Sequence, residues 1–150
     1  MPNFLDRLKA AFGSEAEAAG PSPEVAVAAL LLEAARADDV VVEDEQRATE
    51  RALELFLGVD AAGARALVDT AEKARADAAD IVRFTRAAKT AYNAAGRERL
   101  IEAVWRVVLA DDETTPDEDA YVRRLAGLLH VTDTARGAAR HRVLAERAQS

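Results

Sequence analysis

Two acidic strings hold the side chains best suited to chemistry in this chain. Ala37 to Glu45 reads ADDVVVEDE and Ala110 to Glu118 reads ADDETTPDE, so Asp38 and Glu45 recur as Asp111 and Glu118 after one interval of 73 residues. In each copy an apolar helical run stops at an Asp-Asp pair and a second run opens with an acidic turn. An Asp at a helix C-terminus faces the negative end of the dipole, an unfavourable placement of roughly 0.3–1 kcal/mol. If the connection folds back, carboxylates such as Asp38 and Glu45 at about 5 Å repel by about 3 kcal/mol at an effective dielectric of 20. A divalent cation between them turns that repulsion into attraction. Oxygen-only donors suit Ca²⁺ first, and Mg²⁺ or Mn²⁺ next, better than Zn²⁺ or Cu. The candidate metal ligands are therefore Asp38, Glu45, Asp111 and Glu118, with Asp39 and Asp112 as secondary donors.

The spacing is shorter than the twelve-residue EF-hand loop and lacks its central Gly. A di-iron bundle would need Glu three residues before His, and neither His130 nor His141 has it. The same residues also read as helix ends without a metal. Thr115, Pro116 and Glu118 spell a capping box, with Thr at the N-cap, Pro at the first helical position and Glu at the third. Val42 stands where Thr115 stands in the second copy and cannot cap, yet Glu45 is retained.

The elements that must hold these strings are helices. Half of the residues are apolar but only 5% are aromatic, so a core here rests on Ala, Leu and Val, and the abundance of Ala, Leu, Arg and Glu favours helix. Ser22, Pro23 and Glu24 signal a helix start, and Ala28, Leu31, Leu32 and Ala35 make its apolar stripe up to about Asp38. A second run from about Glu43 to Leu57 turns Ala48, Ala52, Leu55 and Phe56 inward and stops at Gly58. Asp60 opens the next, with Ala64, Leu67, Val68 and Ala71 inward. The polar stretch Glu72 to Ala79 reads as a break or an exposed turn of helix, and a further helix from about Ala78 buries Ile81, Phe84, Ala88 and Ala91, with Asp77 and Asp80 supporting its N-terminus.

After a connection at Asn93 to Gly96, a helix from about Arg97 to Ala110 carries Ile101, Val104, Trp105 and Val108, each 73 residues after the first stripe. The following helix repeats the second in the same way through Tyr121, Leu125, Leu128 and Leu129. A last one, about Thr132 to Glu146, closes the bundle through Ala135, Ala138, Ala139 and Val143. The expected fold is all-α, one bundle of about seven or eight helices with two pseudo-repeated helix-loop-helix hairpins. Residues 24–150 form this domain. Residues 1–23 precede it as a short amphipathic helix over residues 3–12, with Phe4, Leu5, Leu8, Ala11 and Phe12 on one side, and a Gly/Ser/Pro linker.

Charge and composition narrow the function. A net charge of −7 and a pI near 4.9 argue against nucleic acid, which requires a basic face. No cysteine is present, which removes disulfides and thiolate chemistry. The three serines, Ser14, Ser22 and Ser150, lie outside the expected helices, and no Gly-rich nucleotide motif occurs. No catalytic residue and no enzyme activity are expected. No apolar run approaches the roughly 18–20 residues that span a bilayer, so the expected location is cytoplasmic, with residues 3–12 either docked on their own domain or available for a membrane surface or membrane protein. Arg136, Arg140, His141, Arg142 and Arg147 read as a solvated basic face that also suits an acidic partner.

The strings LLLEAARADDVVVEDE and WRVVLADDETTPDEDAYVRRLAGLL, with the opening NFLDRLKAAFG, resemble the TerB-type tellurite-resistance family over roughly residues 24–146. That family's helical domain in turn resembles the N-terminal part of a DnaJ-like membrane co-chaperone. The resemblance implies an all-helical fold whose motif acids, Asp38 with Glu45 and Asp111 with Glu118, gather as a divalent-metal site, and a role in stress-response protein assemblies at the inner face of the membrane. Asp39 and Asp112 stand where the family usually has Gly, and Asp accepts a left-handed turn better than most residues. The alternative is a metal-free helical adaptor whose acidic loops attract a basic partner.

Overall fold

The computed structural model describes residues 20–36, 42–77, 81–110 and 114–149, excepting the side chains of 42–45 and 76–77. The helix and linker expected over residues 1–19 lie outside the described residues. Among those described, seven helices and no strand occur: α1 (Pro23–Ala35), α2 (Val42–Leu57), α3 (Ala61–Asp77), α4 (Ile81–Ala91), α5 (Ala94–Val108), α6 (Pro116–Leu128) and α7 (Asp133–Ala148). The all-α bundle expected from the sequence is what forms.

Helix α1 is the axis of the bundle. Ser22 caps it by accepting a hydrogen bond from the Val25 amide at 3.2 Å, with Pro23 at the first position and Glu24 in the first turn. Its expected stripe of Ala28, Leu31, Leu32 and Ala35 is buried, but so are Val25, Ala26, Val27, Ala29, Leu30 and Ala34. A helix that is apolar all round belongs inside a domain, and α2, α3, α4 and α5 all pack around this one. The alanines between its Val and Leu residues let those neighbours approach closely.

Helices α2 and α6 turn inward on a slightly different face from the expected one. In α2 the buried residues are Thr49, Ala52, Leu53 and Phe56, whereas Leu55 is 59% exposed and Ala48 only half-buried. Leu53 and Leu55 are two residues apart, about 200° around a helix, so seating Leu53 in the core forces Leu55 out. In α6 the buried set is Val122, Leu125, Ala126 and Leu129, with Tyr121 and Leu128 half-buried. Each of these four follows its counterpart in α2 by 73 residues.

Several boundaries also move. Helix α3 is capped by Asp60, whose carboxylate accepts from the Gly63 amide at 2.7 Å, and it buries Ala64, Leu67, Val68 and Ala71 as expected. It does not break at Glu72 but continues to Asp77, because Glu72 and Arg75 find partners on α1. Asp77 thus ends α3 instead of opening α4, and Asp80 lies outside the described residues. In α4, Ala91 is exposed and Thr85 takes the inward place, its hydroxyl donating to the Val82 carbonyl at 2.9 Å. Helix α5 begins three residues before Arg97, since Asn93 is its cap and accepts from the Gly96 amide. In α7 Ala139 and Val143 are buried, but Ala135 is half-buried and Ala138 exposed.

The end of α6 is strained. The His130 amide donates to the Gly127 carbonyl at 3.2 Å and the Val131 amide to Ala126 at 2.8 Å, the paired bonds of a Schellman motif. His130 holds the left-handed position, φ 60°, where glycine is usual. A Cβ there costs roughly 1–2 kcal/mol, partly offset by glycine's greater freedom when unfolded. His130→Gly is therefore expected to stabilise the protein by roughly 0.5–1 kcal/mol in a urea titration. Exposed His130 serves this turn.

Candidate metal centre

Of the expected ligands, Glu118 is the one whose side chain is described. It lies in the first turn of α6 and is buried at 3% exposure. Its Oε1 accepts from the Thr115 amide at 2.9 Å while the Thr115 hydroxyl accepts from the Glu118 amide at 3.1 Å, so the capping box read from the sequence is present. Glu45 falls in the first turn of α2, within the helix but with its side chain outside the described residues. Asp38, Asp39, Asp111 and Asp112 lie outside the described residues. Among the described residues no group of three or more His, Cys, Asp or Glu could hold a metal.

Two observations bear on whether a hard cation suits this end of the bundle. The donor set is oxygen only, from carboxylates, as Ca²⁺ and Mg²⁺ require. The Thr114 hydroxyl, within the second acidic string, is buried with no hydrogen-bond partner among the described residues. A buried hydroxyl left unpaired costs roughly 1–3 kcal/mol.

A polar network ties the helices that bear the two strings. Arg75 of α3 donates through Nε to Glu33 of α1 at 2.5 Å and lies 3.4 Å from Glu72. Glu72 in turn pairs with Arg36, the cap residue of α1. One turn before Glu33 on the same helix, the Leu30 carbonyl accepts from the Tyr121 hydroxyl of α6 at 2.7 Å. Sequence reading missed this network. The i,i+3 spacings Glu33/Arg36 and Glu72/Arg75 were visible, but their cross-pairing depends on α1 and α3 lying side by side.

Burial pushes the Tyr121 phenol well above its usual range, with the Glu33 carboxylate adding to the effect and Arg75 and Arg124 opposing it. Tyr92, edge-on to Phe56 at 5.3 Å, is raised by burial and by Glu24. A phenol raised in the folded state contributes stability that is complete below the unfolded value of about 10 and is lost as pH rises past it. Stability is expected to fall between about pH 9.5 and 11, and less steeply in Tyr121→Phe, in denaturant titrations across that range.

The far side of the bundle is stapled rather than free. The basic residues of α7 expected to form a solvated face are largely engaged: Arg142 pairs with Glu102 at 2.7 Å, Arg136 with Asp133 at 2.6 Å, and Arg140 stacks over Trp105 at 5.8 Å. Glu146 binds Arg106 through two oxygens at 2.9 and 3.1 Å, and this bond holds its carboxyl below the usual range. Trp105 is a core residue, its Nε1 donating to the Arg136 carbonyl at 3.1 Å. His141 is exposed. A shallow depression between α2 and α3, lined by Arg47, Glu50, Arg51, Glu54 and Arg65, is mixed in charge.

The fold agrees with the comparison to known families. The family model described as Tellurite resistance protein TerB matches residues 24–141, which runs from the second residue of α1 through α6 and half of α7. No curated protein and no solved structure matches the chain. The match covers both acidic strings and most of the chain. The chain belongs to the TerB tellurite-resistance family.

Proposed function

We propose that this tellurite-resistance-type module binds a divalent cation, Ca²⁺ before Mg²⁺ or Mn²⁺, through Asp38, Glu45, Asp111 and Glu118, with Asp39 and Asp112 assisting. The observation that carries the reading is the asymmetry between the two strings. The capping box accounts for Glu118 on α6, whereas Val42 opens α2 with no side chain able to cap it, and Glu45 is kept all the same. A ligand role explains both acids; capping explains one. The recurrence of the inward positions of α2 in α6 at the interval of 73 supports reading the hairpins as an internal repeat, in which the two strings hold equivalent places.

The module is non-enzymatic on this reading. It works in stress-response protein assemblies in the cytoplasm, with residues 3–12 meeting the inner membrane face or a protein in it. No helix among the described residues is long and apolar enough to cross a membrane. The competing reading, a metal-free adaptor that presents acidic loops to a basic partner, is favoured by the completeness of the capping box. Titration calorimetry of EDTA-treated protein with Ca²⁺, Mg²⁺ and Mn²⁺ separates the two. Binding that is lost in the Asp38→Asn, Asp111→Asn double variant supports the metal site; no heat with any ion, or equal binding by the variant, leaves the adaptor.

A further inference from the structure

Helix α4 differs in charge from the rest of the chain. Its 11 residues hold Arg83, Arg86 and Lys89 and no Asp or Glu, whereas the whole chain carries a net charge of −7. Each of the other described helices contains at least one acid. Elsewhere cations that reach an acid are paired, as Arg75, Arg106, Arg136 and Arg142 are. The three of α4 form no ion pair among the described residues, and the Arg83 guanidinium lies over the ring of its neighbour Phe84 at 5.8 Å.

The opposite side of the helix turns the three outward. Ile81, Phe84, Thr85 and Ala88 are buried, and the helix packs on α1 with a smaller contact to α6. Arg83 and Arg86 are exposed and Lys89 is half-buried. Cations three residues apart on a helix stand about 4.5 Å apart along its axis, the spacing of carboxylates at i and i+3 on another helix. The residues around them are small: Ala87, Thr90 and Ala91, with the Thr90 hydroxyl turned onto the Arg86 carbonyl at 2.9 Å. A second chain can therefore approach this face closely. Like charges at helical spacing repel, and an acidic segment laid along them converts repulsion into attraction.

We propose that Arg83, Arg86 and Lys89 form a docking stripe for a carboxylate-rich segment of another protein. The stripe acts whether or not an ion binds the acidic strings. Two observations favour an acidic protein segment over an anionic membrane. A helix lying among lipid headgroups needs large apolar side chains to enter them, and those of α4, Ile81 and Phe84, are in the core; the exposed large apolar residue among those described, Leu55, is on α2. A broad anionic plane also meets the chain's net negative charge, whereas a segment no wider than the Debye length of about 8–10 Å responds mainly to the stripe beneath it. Nucleic acid is disfavoured too, since three cations neutralise few phosphates.

The test is fluorescence anisotropy of a labelled Ala-rich helical peptide of about 20 residues, with Glu at every third or fourth position, titrated with the whole chain. The triple variant Arg83→Gln, Arg86→Gln, Lys89→Gln is compared with one of equal charge change, Arg51→Gln, Lys73→Gln, Arg123→Gln, which removes exposed cations of α2, α3 and α6. All six side chains stand outside the core, so both variants should keep the wild-type circular dichroism. The expected result is a dissociation constant raised about tenfold in the α4 variant, about twofold in Arg86→Gln alone, and less than about twofold in the control. Wild-type binding should weaken between about 50 and 200 mM salt. Equal weakening in the two triple variants overturns the proposal, because net charge then decides. So does absence of peptide binding by the wild type. Stripe-dependent binding to phosphatidylserine vesicles in place of the peptide would make the occupant a membrane, and a dimer in sedimentation that the α4 variant loses would make it a second copy; either result overturns the assignment.

Discussion

Trp105→Ala is expected to destabilise the protein by about 3–5 kcal/mol, the largest effect of any single truncation in the core. Trp105 is 1% exposed and is the largest fully buried side chain. It sits in α5 where α7 crosses, its ring under the Arg140 guanidinium and its indole N–H on the Arg136 carbonyl. Truncation removes the apolar contact, leaves a cavity that only partly collapses, and strips the Arg136 carbonyl of its extra donor. Against a total stability of about 5–15 kcal/mol for a domain of this size, the variant should melt about 6–20 °C lower at 2–4 °C per kcal/mol. Circular dichroism is the right probe, since the fluorophore is lost. Trp105→Phe, which keeps most of the contact, should lose far less. A loss below 1 kcal/mol for Trp105→Ala would mean that α7 is not docked on α5 as described.

The second large effect is that of the ion. If the acidic strings bind a divalent cation, the folded protein at an ion concentration 100 times the dissociation constant gains about 2.7 kcal/mol. That corresponds to a rise in melting temperature of about 5–11 °C at 2–4 °C per kcal/mol, reversed by EDTA. Trp105 fluorescence reports it well, because its core position makes emission sensitive to unfolding. The gain should follow the order of oxygen-seeking ions, with Ca²⁺ at or near the top. A monovalent salt at matched ionic strength should give little of it, which separates coordination from screening of the net negative charge.

The parts of this architecture that were legible in the sequence are those fixed by local chemistry. Ser22 with Pro23, Asp60, Thr115 with Glu118, and Gly58 at φ 69° each act within three or four residues of a helix end, so type and spacing were enough. Helix faces were less legible. In α2, leucines stand at 53, 55 and 57, so two different inward faces fit the pattern, and only packing against α1 and α5 selects Leu53 over Leu55. The length of α3 depended on partners 36 and 42 residues away, Arg36 for Glu72 and Glu33 for Arg75, which no local window contains. Asn93 was read as part of a connection because it lies beside Tyr92 and before a run of small residues, yet those small residues are the first turn of α5.

The candidate site divides in the same way. Glu118 was placed correctly as the third residue of a helix start and a member of a capping box, because the box is a local device. Tyr121 was read as a core residue of α6. Its hydroxyl instead finds a carbonyl 91 residues away, an acceptor every residue possesses and no sequence pattern marks. Thr114 carried no signal as a polar residue in a polar loop; its buried hydroxyl, without a partner among the described residues, emerges only once α6 is packed.

The central claim is that the acids of the two strings are ligands and not only helix caps, and Glu118→Gln tests it most directly. Gln at this position fills a capping box as Glu does, so the ion-free variant should keep the fold and lose no more than about 1 kcal/mol, the value of a charge at a helix N-terminus. It removes one negative oxygen from the proposed coordination. Melting curves of Glu118→Gln and wild type, each with EDTA and with Ca²⁺, are expected to coincide closely without the ion and to separate with it, the variant losing the metal-dependent rise. A full metal-dependent rise in Glu118→Gln would contradict the account and leave Glu118 as the cap of α6 alone.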